Sequence, residues 1–342
     1  MRVMGNNGTV LCITDKGHDP YWNLAAEEYL LKEFSEPVFR LWRNSESVII
    51  GQNQNAFAEI NREWVSARNI PVVRRLTGGG AVFHDLGNIN FSFIERRVAG
   101  EDASAMFRRF TRPVIDTLQS LGIDARLEGR NDLTIGGRKF SGNAMAIHKD
   151  RVLCHGCILF SASIGNLSEA LNSRPEKFIG KAVSSNRSRV TNISEHLHDP
   201  LTPEQFISLL KEQVLSGKNG ISGQHAGYYS YTEKDTAAIN RLVEEKYILD
   251  SWNYGKSPKY SICRVRKFPS GLVEIYAEIS GGKISGIKIM GDYFFESPTV
   301  ELETALTGCL YDSEAVLSVL KRAGLAKYIA GVSPEDLAGM MF

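Results

Sequence analysis

The run Arg74-Arg75-Leu76-Thr77-Gly78-Gly79-Gly80-Ala81-Val82-Phe83-His84-Asp85 constrains the fold more than any other stretch of the chain. Upstream, Pro71-Val72-Val73 reads as a short buried strand, and downstream Ile89-Asn90-Phe91-Ser92-Phe93-Ile94 alternates with period two. The three glycines therefore join strands, and no helix follows them. That excludes a P-loop, which needs Gly-Lys-Ser/Thr opening a helix. It also excludes a dinucleotide fingerprint, which needs a third glycine where Phe83 stands. Two readings remain: a mobile turn with solvated arginines, or a bare-backbone cradle whose N–H groups line an anion, with an arginine beside it. Successive strand side chains point to opposite faces, so only one of Arg74 and Arg75 easily faces such an anion.

Composition narrows the partners. The chain has 342 residues, 43% hydrophobic and 23% charged, enough for a soluble protein of two domains. Its net charge of +1 gives no electrostatic footprint for DNA or RNA, so any nucleotide is a small bound ligand. No apolar run approaches the length of a membrane span, and residues 1–10 lack a signal-peptide pattern. Five scattered cysteines argue against a disulfide framework and for a reducing cytoplasm. Cys154-His155-Gly156-Cys157 invites a redox or metal reading. However, residues 151–160 read as a strand, which sends the two sulfurs to opposite faces, and no second cluster completes a zinc site. A structural role is expected for both.

Elements are mixed, without repeats. Asp19-Pro20 is an N-cap followed by proline, and Leu24, Tyr29 and Leu31 fit an amphipathic helix to about Phe34. Residues 38–42 and 47–50 read as strands, the second ending at Gly51. Helices are expected over 106–121, from Thr202-Pro203 to about Leu215, and over 232–247. The stretch 251–258 is linker-like. Beyond it, residues 272–279 and 283–290 alternate across Gly281-Gly282, a two-residue hairpin, before helical segments near 300–306, 313–323 and after Ser333-Pro334. The chain thus divides into 1–250, a linker at 251–258, and a small α+β domain at 259–342. A single domain with an appended lobe fits the same pattern.

A second group of chemically able residues is Asn131-Asp132-Leu133-Thr134-Ile135-Gly136-Gly137-Arg138-Lys139-Phe140-Ser141-Gly142-Asn143-Ala144. Gly136-Gly137 marks another tight hairpin, after which Lys139 and Ser141 are expected on one strand face and Arg138 and Phe140 on the other. Ser141-Gly142-Asn143-Ala144 keeps small groups around Lys139, which leaves room for a substrate at its ammonium. A third segment, residues 180–190, is basic and hydroxyl-rich. It suits a polyphosphate or is simply a solvated loop.

Together these residues resemble the lipoate–protein ligase family, within the biotin/lipoate ligase superfamily. The resemblance rests on Arg74-Arg75-x-x-Gly-Gly-Gly-Ala-Val-Phe-His-Asp, Gly129-Arg130-Asn131-Asp132-Leu133, Arg138-Lys139-x-Ser141-Gly142 and Arg187-Ser188-Arg189-Val190-Thr191-Asn192. Trp42-Arg43-Asn44 and Gly51-Gln52-Asn53-Gln54-Asn55 add the family's early strands and the loop near the acyl tail. The resemblance implies an α+β fold: a mixed β-sheet catalytic domain with flanking helices, plus a small C-terminal α+β accessory domain. It implies two steps. Lipoate attacks the α-phosphate of ATP, releasing pyrophosphate and giving lipoyl-AMP; a lysine of a lipoyl-domain protein then takes the lipoyl group and AMP leaves. The acceptors implied are 2-oxoacid dehydrogenase E2 subunits or the glycine-cleavage H protein.

By position, the resemblance gives the adenylate to Arg75, the backbone of Gly80, Ala81, Val82 and Phe83, to Lys139, and to Asn131, Asp132 and Lys181. It gives lipoate to Lys139, Gly79, His84, Trp42, Gln54 and Asn55. Asn131 and Asp132 fit a capped turn equally well, and Trp42, Val48, Ile50 and Phe83 fit ordinary core. Mg²⁺ is expected with ATP, although no metal-ligand spacing appears. Two alternatives stand beside this reading: an ATP-independent octanoyl or lipoyl transferase of the same fold, and a non-catalytic lipoate- or nucleotide-binding partner.

Overall fold

A computed structural model of the chain describes residues 9–171, 190–216, 225–254 and 262–342. In chain order the strands are β1 (Thr9–Thr14), β2 (Val38–Trp42), β3 (Ser47–Ile50), β4 (Val72–Arg74), β5 (Val82–His84), β6 (Asn88–Arg96) and β7 (Ala125–Glu128). They continue as β8 (Asp132–Ile135), β9 (Arg138–His148), β10 (Arg151–Leu159), β11 (His225–Tyr228), β12 (Ile262–Phe268), β13 (Gly271–Ser280) and β14 (Lys283–Gly291). The described residues form two compact units. One takes the described chain to Val48, from Phe83 to Glu169, and from Val190 to Ile248; the other takes Ile49 to Val82, Ala170 and Leu171, and Leu249 onwards.

The first unit is built on a mixed eight-stranded sheet of order β11-β1-β2-β6-β10-β9-β8-β7. β1 runs parallel to β11 and β2, and the remaining pairs are antiparallel. Because in-register partners share a face, the two sides of this sheet can be read directly. One side carries Phe39, Leu41, Phe91 and Phe93, with Phe93 stacked on Phe110 of the helix Ala103–Ser120. The other side carries Arg40, Trp42, Asn90, Ser92, His155 and Cys157. Alternation along β6 is therefore real, yet Asn88 to Glu95 are all buried, because both faces are covered.

The helix Pro20–Glu33 begins as its cap predicts, the Asp19 side chain accepting from the Tyr21 N–H. It departs from the amphipathic expectation, since Asn23, Glu27 and Glu28 are buried along with Leu24, Tyr29 and Leu31. Its polar residues face the polar side of the sheet. Arg40 donates to Asn23, and the carboxylate of Glu27 meets Ser92 and His155. The helix Pro203–Leu215 opens with a capping box at Thr202. The expected helix over 232–247 is α-helical over Glu233–Leu242 and continues as a π-turn over Val243–Tyr247.

In the second unit, β12, β13 and β14 form an antiparallel meander that turns tightly at Gly281-Gly282, pairing Ser280 with Lys283. The helices Val300–Leu306, Ser313–Ala323 and Pro334–Met341 supply the other side of its core through Leu302, Leu320 and Leu337. β12 has no counterpart in the sequence reading. Of the linker-like stretch, Asp250–Asn253 is a helical turn and residues 255–258 lie outside the described residues.

Candidate functional site

In the first unit the hairpin between β8 and β9 closes at Gly136-Gly137, with Ile135 opposite Arg138. The register then shifts. Thr134 pairs with Lys139, but Leu133 pairs with Ser141 and Asp132 with Gly142, so Phe140 is the extra residue of a bulge. This corrects the expectation that Lys139 and Ser141 share a face. The bulge turns Lys139 to the side of Asp132 and Gly142, while Ser141, 1% exposed, lies opposite the buried Leu133 on the other side. Lys139 Nζ sits 2.7 Å from Asp132 Oδ1, and each side chain is about two-fifths exposed. Gly142 makes this possible: a Cβ there would stand 2.8 Å from Lys139 Nζ and 3.0 Å from its Cε. The ammonium thus rests on bare backbone, paired yet open to solvent.

Surrounding contacts fix the backbone of this lysine. Its carbonyl accepts the Thr191 N–H at 3.0 Å, and Val190 pairs with it as a parallel bridge. Asn192 locks that segment by exchanging two hydrogen bonds with the Ala162 backbone, at 2.9 and 3.0 Å. Asn131 is held in place on both sides: its amide donates to the Asn143 carbonyl, and the Asn143 amide donates back to the Asn131 carbonyl at 2.9 Å. Arg138 is half-buried, 3.9 Å from Glu195. Lys181, expected at the adenylate, lies outside the described residues.

Gly142 belongs to a row that crosses the sheet. Asp132, Gly142, Cys157, Asn90 and Trp42 are successive in-register partners on β8, β9, β10, β6 and β2, and so share one face. The row runs from a carboxylate–ammonium pair at one end to a buried indole at the other. Trp42 donates its Nε1–H to Ser92 Oγ at 3.2 Å, and Ser92 donates onward to Glu27. His155 Nδ1 meets both Glu27 oxygens, at 2.9 and 3.1 Å. Burial works to raise the Glu27 pKa, but His155, Ser92 and Arg40 outweigh it and hold the carboxyl below its usual range. His84 stands edge-on to Trp42, ring centres 6.2 Å apart, with its Nδ1 accepting from the Asn44 amide at 3.1 Å. Asp85 serves the turn beyond, accepting from the Gly87 and Ser163 N–H groups at 2.8 and 2.7 Å.

The cysteines occupy opposite faces, as the strand reading requires. Cys154 lies opposite Phe93 and is fully buried, so burial pushes its thiol pKa far up. Cys157 lies in the row, and its sulfur accepts from the Asn88 amide at 3.1 Å.

The second unit holds the glycine turn. Arg75 is buried, and its guanidinium donates to Thr77 Oγ1 at 2.9 Å and to the carbonyls of Ile49 at 3.2 Å, Gly78 at 2.7 Å and Gly80 at 2.8 Å. Gly79 adopts φ +90°, which a Cβ would strain. Since a trans peptide points its N–H opposite to its C=O, two carbonyls drawn to Arg75 turn the N–H groups of Gly79 and Ala81 away from it. Gly79, Gly80, Ala81 and Val82 are half-buried. These contacts make Arg75 the organiser of the turn.

Arg74 points to other partners. Its guanidinium is fully buried and donates to the carbonyls of Gly51, Gln54 and Asn253 at 2.8 Å each and of Trp252 at 3.0 Å. Burial first, and Arg75 second, lower its pKa to about 10. Gln54 is anchored through its Oε1, which accepts the Gly51 N–H at 2.8 Å, and the Asn55 amide reaches the Tyr276 hydroxyl at 3.5 Å. Among the residues expected at lipoate, Lys139, Trp42 and His84 thus belong to the first unit, and Gly79, Gln54 and Asn55 to the second.

Sequence reasoning gave no role to Glu27, Asn90, Ser92 or His155, whereas the small residue at Gly142 was expected beside Lys139. A signal for two of them existed: Asn88, Asn90 and Ser92 are polar at period two within an otherwise apolar strand.

A mixed sheet carrying a lysine hairpin, with a separate arginine-braced glycine turn, is the architecture of the acyl-ligase class anticipated from the motifs. The lipoyl protein ligase A/B catalytic domain matches residues 19–215, and the bacterial lipoate protein ligase C-terminus matches residues 257–341. The chain belongs to the lipoate–protein ligase family. It is 40% identical to lipoate–protein ligase 1 of Staphylococcus aureus over 94% of this chain and 97% of that one. Among solved structures it is similar to LipL1 of P. falciparum in complex with lipoate, at 27% identity and a TM-score of 0.72, covering 92% of this chain and 94% of that chain. It is also similar to a lipoate–protein ligase A bound with ATP, at 29% identity and a TM-score of 0.62, covering 73% and 100%.

Proposed function

We propose that this chain is an ATP-dependent lipoate–protein ligase. It joins the lipoate carboxylate to the α-phosphate of ATP, releases pyrophosphate, and passes the lipoyl group from AMP to a lysine of a lipoyl-domain acceptor. The observation that carries the reading is the row on the first unit's sheet, a cation at one end and an indole at the other. That order suits a molecule with an acid head and an apolar tail. Ligase naming among the relatives, and ATP and lipoate in the related structures, support the same assignment.

In the first step a carboxylate approaches a polyphosphate, and negative charge gathers on the α-phosphoryl oxygens. Lys139 lowers that barrier by offering its ammonium to the reacting carboxyl oxygen and to the α-phosphate, with Asp132 as its resting partner. The Gly79 and Ala81 N–H groups, and the backbone on to Val82 and Phe83, supply fixed donors for the nucleotide, and Arg75 keeps the turn in shape. Lys181 is assigned to the adenylate on resemblance alone. Trp42, His84, Gln54 and Asn55 are assigned to lipoate. Attack by the acceptor amine on the mixed anhydride forms the amide and expels AMP. Mg²⁺ is expected to enter with ATP as its counterion.

Residues 1–250 are proposed as the catalytic domain and 259–342 as the accessory domain. The acceptors proposed are E2 subunits or the H protein, in the cytoplasm; no described helix is long and apolar enough to cross a membrane. The test is attachment of lipoate to an isolated lipoyl domain, followed by intact mass. A mass gain that requires both ATP and lipoate is expected, and attachment that proceeds from an acyl-carrier donor without ATP would reject the reading.

A further inference from the structure

One member of the row has no task in the account above. Asn90 is 2% exposed, and its Nδ2 has no hydrogen-bond partner among the described residues. Its neighbours along the same face of β6 have theirs: Ser92 accepts from Trp42 and donates to Glu27, and Asn88 donates to the Cys157 sulfur. A buried donor left unmade is costly, and native interiors keep one mainly where a water or ligand fills it.

The register says what reaches this amide. Asn90 stands beside Trp42 on one side and Cys157 on the other, and Cys157 stands beside Gly142, on which the Lys139 ammonium rests. Two strand steps separate Asn90 from Gly142, about 9–10 Å at ordinary spacing. That is roughly the span of an extended octanoyl chain. An acid held at Lys139 and lying along the row therefore brings its far end to the Asn90 amide and the Trp42 indole. A plain alkyl end offers the amide no acceptor, whereas a dithiolane ring offers sulfur, a weak one. The neighbouring contact from Asn88 to Cys157 shows an amide–sulfur pairing of this kind at 3.1 Å.

We infer that Asn90 is a specificity-determining residue, its Nδ2 donating to a dithiolane sulfur so that lipoate is preferred over octanoate. The inference rests on the ligase reading and on Lys139 holding the carboxylate. It is tested by kcat/KM for lipoate and for octanoate in ATP–pyrophosphate exchange, with the wild type, Asn90→Leu and Asn90→Ser. Leucine removes the donor at similar size; serine is smaller and keeps a hydroxyl donor. The wild type is expected to prefer lipoate, and Asn90→Leu to reduce that preference roughly two- to tenfold, the worth of one hydrogen bond, mainly through KM. Asn90→Ser is expected to keep more of it. A wild type with no preference, or folded variants with the wild-type ratio, overturns the inference. Absence of any lipoate-dependent exchange by the wild type rejects the ligase reading instead, which keeps the two failures apart.

Discussion

Gly142→Ala isolates the geometry of the lysine from its charge. The added methyl carbon would stand 2.8 Å from Lys139 Nζ and 3.0 Å from Cε. Ordinary contact begins near 3.5–4.0 Å, so the ammonium must retreat by roughly 0.8 Å. It has room to do so, because it is the far end of a flexible side chain about two-fifths exposed. The fold should therefore lose no more than about 0.5 kcal/mol, the range of ordinary surface changes. Catalysis has less tolerance: a misplacement of about 1 Å at a reacting centre can cost on the order of 100-fold. The assay is lipoate-dependent ATP–pyrophosphate exchange alongside a thermal melt. A fall in kcat of ten- to 100-fold with an almost unchanged melting temperature is expected. Exchange within twofold of the wild type, at unchanged stability, would refute the idea that the position of this ammonium limits the rate.

Two further outcomes rest on contacts elsewhere in the chain. Arg75→Ala strips the carbonyls of Ile49, Gly78 and Gly80 of their donor. It should weaken ATP binding more than lipoate binding in calorimetry, and the opposite order would mean that the turn is not the nucleotide's. Asp235 accepts from the Tyr29 and Tyr229 hydroxyls and from the Thr232 backbone and side chain. Although burial opposes the charge, these donors lower its pKa from 3.8 to about 2. A depressed folded pKa gives stability that is present above the unfolded value and lost as pH falls through the folded one. Asp235→Asn should thus cost about 2 kcal/mol at pH 7, a gap that closes between about pH 4 and pH 2 in denaturant melts. A gap independent of pH would remove the carboxylate from the explanation.

How much of this could be read from the chain depended on how local the cause was. The hairpins at Gly136-Gly137 and Gly281-Gly282, the Asp19-Pro20 and Thr202-Pro203 starts, and the opposite faces of Cys154 and Cys157 are set by residues adjacent in sequence. All are as expected. The separation of Arg74 from Arg75 follows from strand alternation, but the carbonyls each one serves come from distant segments, which no local pattern records. The bulge at Phe140 was likewise invisible, because it exists only in the pairing of β9 with β8, and it reverses which neighbour Lys139 shares. Burial of Glu27 and Glu28 escaped for a related reason. A helix with charged residues reads as half-solvated until a polar sheet face is known to lie beneath it.

The central claim is that the Lys139 ammonium carries the joining of lipoate to AMP. It is met most directly by ATP–pyrophosphate exchange in Lys139→Ala, with lipoate saturating and the fold checked by its melt. Loss of at least 100-fold in rate is predicted, the usual effect of removing a group that holds transition-state charge, with stability nearly intact. Exchange at the wild-type rate from folded Lys139→Ala protein would contradict the account.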